Sequence, residues 1–150
     1  MLTTLMLAYF LMLFMLCMLI SISDIKNRII SNSMLMWLLA LQMVYLGWSA
    51  SNIVAMLILL VGGIIVFSLG WVGAGDVKYA SILGLAVPVP MLETALMLTA
   101  FMGGMLVIYY YIKHKFTAGS NIKSVTLPYG VAISVGFYLV IFSDQFTKYP

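Results

Sequence analysis

The sequence predicts an all-α membrane protein: a polytopic bundle of six transmembrane helices, the fourth of them short, with the N-terminus outside. Three observations carry this. Hydrophobic residues make up 65% of the chain and charged residues 7%, against about 25% charged in a soluble domain. That is too little polar surface to cover a fold in water. The apolar residues fall into runs, and the longest polar stretch between them is Lys113 to Ser124. A single transmembrane domain over 1–150 is therefore expected, with no sizeable soluble module. Six of the seven Lys and Arg residues lie in three short loops, the distribution that orients a chain in a bilayer. That clustering makes nucleic acid a poor explanation of the net charge of +3.

Each element follows in order. Leu2 to Ser23 is uncharged and long enough to span. No positive charge precedes it, while Lys26 and Arg28 follow, so it reads as a retained span and not a cleaved leader. Asp24 to Asn32, "DIKNRIISN", is the first polar loop. Ser33 to Trp48 is a second, short span, Ser49 to Asn52 a tight turn, and Asn52 a candidate cap for the next helix. Ile53 to Trp71 is the third span, and a glycine turn with Asp76 and Lys78 follows. Tyr79 to Leu92 is apolar but contains Pro88 and Pro90. At 1.5 Å per residue it covers only about 21 Å of a roughly 30 Å core, which suits a short span or a re-entrant piece. Thr94 to Ile112 is the fifth span, Lys113 to Ser124 a polar loop, Val125 to Phe142 the sixth span, and the remainder a tail.

The charges favour the short span. With the N-terminus outside and six spans, Lys26, Arg28, Lys78, Lys113, Lys115 and Lys123 are cytoplasmic and only Lys148 is outside. A five-span chain would put Lys113, Lys115 and Lys123 on the outer side. The same topology places Asp24 and Asp76 on the cytoplasmic face, and Glu93 and Asp144 on the other.

Asp24 closes the first span and Asp76 opens the fourth, 52 residues later. A carboxylate beside hydrocarbon is costly, and ionisable groups there are functional by default. Two carboxylates sharing a site cannot both ionise freely, so a pair can hold one proton. One member then takes a proton from water while the other polarises a carbonyl. Gly73 and Gly75 suit this by allowing unusual backbone angles and by leaving room for a substrate backbone. From charge and spacing alone, ordinary interfacial charges explain both acids as well: Asp76 as a helix-start acid, with Lys26 and Lys78 as neutralising partners.

The residues themselves go further. "GAGDVK", Gly73 to Lys78, resembles the GxGD motif of membrane-embedded aspartic proteases, which include type IV prepilin peptidases and presenilin-like proteases. "SDIKNRIISN", Ser23 to Asn32, resembles the prepilin peptidase segment in which an aspartate closes the first helix before basic residues and Ile-x-Asn. "LPYGVAIS", Leu127 to Ser134, resembles the Pro-Tyr-Gly-x-Ala-Ile segment opening the last helix of short members. The chain is most similar to the short CpaA/TadV-like branch, which serves Flp-type pili. The resemblance implies Asp24 and Asp76 as the catalytic pair. Gly73, Gly75, Lys78, Pro128, Tyr129 and Gly130 then shape the site or bind substrate. It also implies a prepilin or pseudopilin precursor as partner, cleavage at the cytoplasmic face of a bacterial inner membrane, and no metal or other cofactor. Longer relatives carry an N-terminal domain with paired Cys-x-x-Cys motifs linked to methyl transfer. This chain has one cysteine, so no zinc or methyltransferase domain is expected. Ser31 stands where many relatives have proline.

The remaining features have plainer readings. Cys17 reads as a small buried side chain, His114 as a loop histidine, Glu93 as a helix-start acid and Asp144 as a solvated tail charge. Gly62-Gly63 and Gly103-Gly104 read as packing contacts, and the 13 methionines as apolar filler. A rival class is a small transporter or pilus-assembly subunit using the two aspartates for protons or cations. Against it, the middles of the six spans carry no ionisable acid or base.

Overall fold

The computed structural model describes residues 2–46, 50–116 and 127–148. They form α1 (Leu2–Asn27), α2 (Asn32–Leu46), α3 (Ala50–Ser68), α4 (Ala74–Gly84), a 3₁₀ turn at Val89–Met91, α5 (Leu92–Phe116) and α6 (Tyr129–Lys148), with no strand among the described residues. Thr4–Asn27 and Val89–Lys113 are long and apolar enough to cross a membrane, by length and composition. Asn32–Leu46, Asn52–Ser68 and Tyr129–Gln145 are apolar but shorter.

The helices pack around α6, which lies against α5, α1 and α4. In turn, α4 packs on α3 and α2. Leu13, Ile20, Leu38, Leu83, Phe137 and Ile141 fill the centre and are fully buried. The outward faces are also apolar: Leu11, Met15, Trp37, Val61, Phe101 and Met105 are each more than half exposed. Water would oppose that arrangement at about 25 cal/mol per Å² of apolar surface, whereas lipid does not.

Small residues set the closest helix approaches. A Cβ at Gly136 of α6 would lie 2.7 Å from the Thr99 backbone nitrogen on α5. One at Gly84 would meet Leu59, and one at Gly63 would meet Val77. A Cβ at Gly103 would lie 3.3 Å from the Tyr129 ring, while Gly62 and Gly104 face open space. One glycine of each mid-helix pair therefore makes a packing contact.

Several boundaries differ from the sequence expectation. α1 continues past Ser23, so Asp24 belongs to its last turns and not to the loop. Asn52 lies inside α3 and does not cap it. The fourth segment is not one helix over Tyr79 to Leu92: α4 begins at Ala74 and stops at Gly84, and the chain re-enters a helical turn only at Val89. Pro88 and Pro90, lacking N–H donors, explain the interruption. α5 runs on to Phe116 and takes Lys113 and Lys115 with it. Lys123, the start of the expected sixth span at Val125, and the turn residue Ser49 lie outside the described residues. Asp144, expected as a solvated tail charge, is 4% exposed. Phe137, Ile141 and Asp144 share one helical stripe of α6, which runs on to Lys148.

Candidate active site

Asp24 is placed by two helix ends. After Asn27, Arg28 adopts a left-handed φ of 56°, and its N–H donates to the Asp24 carbonyl at 3.0 Å. This is a helix C-terminal motif that usually takes glycine. Ser23 Oγ donates to the Ile29 carbonyl at 3.1 Å and folds the loop back. The Arg28 guanidinium lies 5.5 Å from the centre of the Tyr110 ring on α5, a cation–π contact. Asp24 itself is buried. Its Oδ2 accepts the Gly130 N–H at 2.7 Å, one of the unpaired donors at the start of α6. A Cβ at Gly130 would sit 2.8 Å from Asp24 Oδ2, so the close approach requires glycine.

Asp76 is placed by the start of α4. Leaving α3, Gly70 takes φ +76°. Its N–H donates to Phe67 and that of Trp71 to Val66, which closes the helix in a Schellman motif. Gly73 then caps α4 with φ −74° and ψ 149°, and Asp76 falls in the first turn. The Gly73 N–H donates to Asp76 Oδ2 at 3.3 Å, half of a capping box. A Cβ at Gly73 would lie 3.0 Å from that oxygen, and one at Gly75 would lie 3.3 Å from Ile30 Cβ. The left-handed angle is needed at Gly70, then, and Gly73 and Gly75 serve close approach instead of unusual backbone angles.

Asp76 lies in the field of the Asp24 carboxylate. Asp76 is half-buried, and its pKa is pushed up to about 6, first by burial and then by the charge of Asp24, against the opposing Gly73 N–H. As pH falls through that value Asp76 takes up a proton beside the second acid. Among the described residues, no group of three or more His, Cys, Asp or Glu is placed to hold a metal ion.

The other expected site residues are distributed around this pair. Lys78 is exposed and reaches Asn32 Oδ1 at 3.5 Å, tying α4 to the start of α2. Pro128 is fully buried beneath the start of α6. Tyr129 turns its ring towards Gly103 on α5. Gly130 alone of that triplet bonds an aspartate directly.

Three polar residues were not singled out from sequence. Ser134 Oγ lies 2.7 Å from the Tyr79 hydroxyl and 2.9 Å from Ser21 Oγ, and donates to the Gly130 carbonyl at 2.7 Å. Their signal was positional. Ser21 is one turn before Asp24, Tyr79 one turn after Asp76, and Ser134 one turn after Gly130.

Helices that are apolar on their outward faces, with no strand among the described residues and with Asp76 in the field of Asp24 from a separate helix, define a helical protein of membrane type. It belongs to the type IV leader peptidase family, whose model matches residues 10–108. No curated protein and no solved structure matches the chain. The matched region holds both aspartates and the glycine turn, and it ends within α5, so Pro128 to Gly130 lie beyond it.

Proposed function

We propose that the protein is an intramembrane aspartic endopeptidase. It removes the leader of Flp-like type IV prepilins at the cytoplasmic face of a bacterial inner membrane, in a six-span topology with the N-terminus outside. The observation that carries this is the pairing of Asp24 on α1 with Asp76 on α4, the charge of Asp24 acting on Asp76.

The chemistry follows from that pairing. Asp24 Oδ2 accepts the Gly130 N–H, which fixes that carboxyl in place, and it is assigned the role of base. Asp76, pushed up to about 6, is the better holder of the shared proton. Asp24 takes a proton from a water whose oxygen bonds to the scissile carbonyl carbon. Asp76 donates to the carbonyl oxygen as negative charge develops there. The tetrahedral intermediate collapses by breaking the C–N bond, and the departing amine takes a proton from the pair. Gly73 lets the start of α4 close on the Asp76 carboxylate, and Gly75 lets α4 approach Ile30, so both glycines serve to place Asp76. The substrate's apolar helix is matched by a protein whose outer faces are apolar.

The test is co-expression with an Flp-type prepilin, with the product mass read from isolated membranes. A new species shortened by the leader, cut after its glycine, is expected. If the prepilin stays full length beside correctly inserted protein, the reading is wrong.

A further inference from the structure

The two aspartates ride on helices whose backbones do not pack closely, although the Tyr79 hydroxyl of α4 reaches the Cys17 thiol of α1. Among the described residues α1 and α4 have almost no close backbone contact, while α6 and α2 each pack on both. Through α2 the polar ties are the exposed 3.5 Å reach from Lys78 to Asn32 and the buried 2.8 Å bond from Tyr9 to Gln42, the latter fifteen residues before Asp24 along α1. Contacts through α6 converge on Ser134.

A hydroxyl has one proton to give and two lone pairs to receive. Two carbonyls face the Ser134 hydroxyl, Gly130 at 2.7 Å and Cys17 of α1 at 3.4 Å, and the nearer takes its proton. It therefore accepts from Tyr79 of α4 at 2.7 Å and from Ser21 of α1 at 2.9 Å. Tyr79 is fully buried and Ser134 is 5% exposed, so water does not compete for the bond between them, while the Ser21 bond is partly buried. From Gly130 the connection continues, because its N–H donates to Asp24 Oδ2. Packing of apolar side chains is non-directional, whereas three short hydrogen bonds on one oxygen fix distance and angle.

We propose that Ser134 is a positioning residue for peptide hydrolysis. It clasps Tyr79 and Ser21 one turn beneath Asp76 and Asp24, and so sets the separation of the two carboxylates. This rests on the peptidase reading of that pair. A misplacement of about 1 Å at reacting groups is enough to cost on the order of a hundredfold in rate, so a fixed separation matters.

The experiment compares Ser134→Ala, Tyr79→Phe and the double variant, with Ser81→Ala as control. Ser81 is equally buried on α4, but its hydroxyl bonds only the Val77 carbonyl of its own helix. Steady-state cleavage of a prepilin peptide is measured in detergent per mole of folded protein, alongside Tm. Each single variant is expected to lose at least tenfold in kcat with KM nearly unchanged. The double variant should lose no more than the worse single one, because both remove the same bond. Ser81→Ala should retain its kcat. Unchanged kcat in Ser134→Ala and Tyr79→Phe overturns the proposal, whatever happens to Tm. So do losses confined to KM, or losses that multiply in the double variant. Asp24→Asn and Asp76→Asn run in the same assay separate the two readings. If they retain activity, the pair is not catalytic and the clasp falls with it. If they are dead while the clasp variants are fully active, only the clasp is wrong.

Discussion

At the first turn of α4 the Asp76 carboxylate has lost much of its water and feels the charge of Asp24, and both effects oppose ionisation. The unfolded chain has neither. Between the ordinary value of 3.8 and about 6, the folded state thus binds the proton that the unfolded state releases. The stability this contributes is complete below 3.8 and is lost as pH rises through 6. Asp76→Asn is accordingly expected to raise Tm in detergent at pH 7.5, with the gain fading as pH falls towards 4; a scan of Tm against pH in both proteins checks it. The same proton serves the proposed reaction, so cleavage by the wild type should decline as pH rises beyond the value near 6, read as the alkaline limb of kcat/KM. Gly130→Ala should reduce cleavage about tenfold or more. Its Cβ would intrude to 2.8 Å from Asp24 Oδ2, and a hydrogen bond to a charged group contributes about 1.5–3 kcal/mol. A prepilin cleavage assay decides that. Both acids were legible in sequence because each is a charge stranded beside an apolar run. Ser21, Tyr79 and Ser134 were not, because a serine or tyrosine in a helix looks the same whether its hydroxyl faces lipid or another helix.

At the scale of elements, the apolar runs gave the helices, and the prolines gave the break after α4. The ends were less legible. Asp24, Lys26 and Asn27 read as loop by polarity, yet α1 continues through them because its final carbonyls are closed by the turn at Arg28. Asp144 read as tail for the same reason, although helix periodicity carries it onto the buried stripe of Phe137 and Ile141. Glycine pairs announced contacts without saying which member makes them. Gly136→Ala is expected to destabilise the α5–α6 pair, since a methyl would meet Thr99 backbone at 2.7 and 2.9 Å. Overpacking of this kind costs about 1–3 kcal/mol. Gly104→Ala, facing open space, should leave Tm unchanged or slightly higher. Thermal unfolding of the two variants in one detergent is the comparison.

For the whole molecule, the family is settled by the match over residues 10–108, and the proposed topology rests on the placement of charge. With Cys17 replaced by alanine, single cysteines at Lys115 and Glu93, both exposed, should label oppositely in intact cells. Glu93→Cys should react with a membrane-impermeant thiol reagent, and Lys115→Cys only after the membrane is opened. In the proposed peptidase both carboxylates act together in peptide hydrolysis. The most direct measurement is leader cleavage of a co-expressed prepilin by wild type, Asp24→Asn and Asp76→Asn, each shown to reach the membrane at normal level. The account predicts that either substitution alone abolishes the shortened pilin. Full cleavage by either variant, correctly inserted, would contradict it.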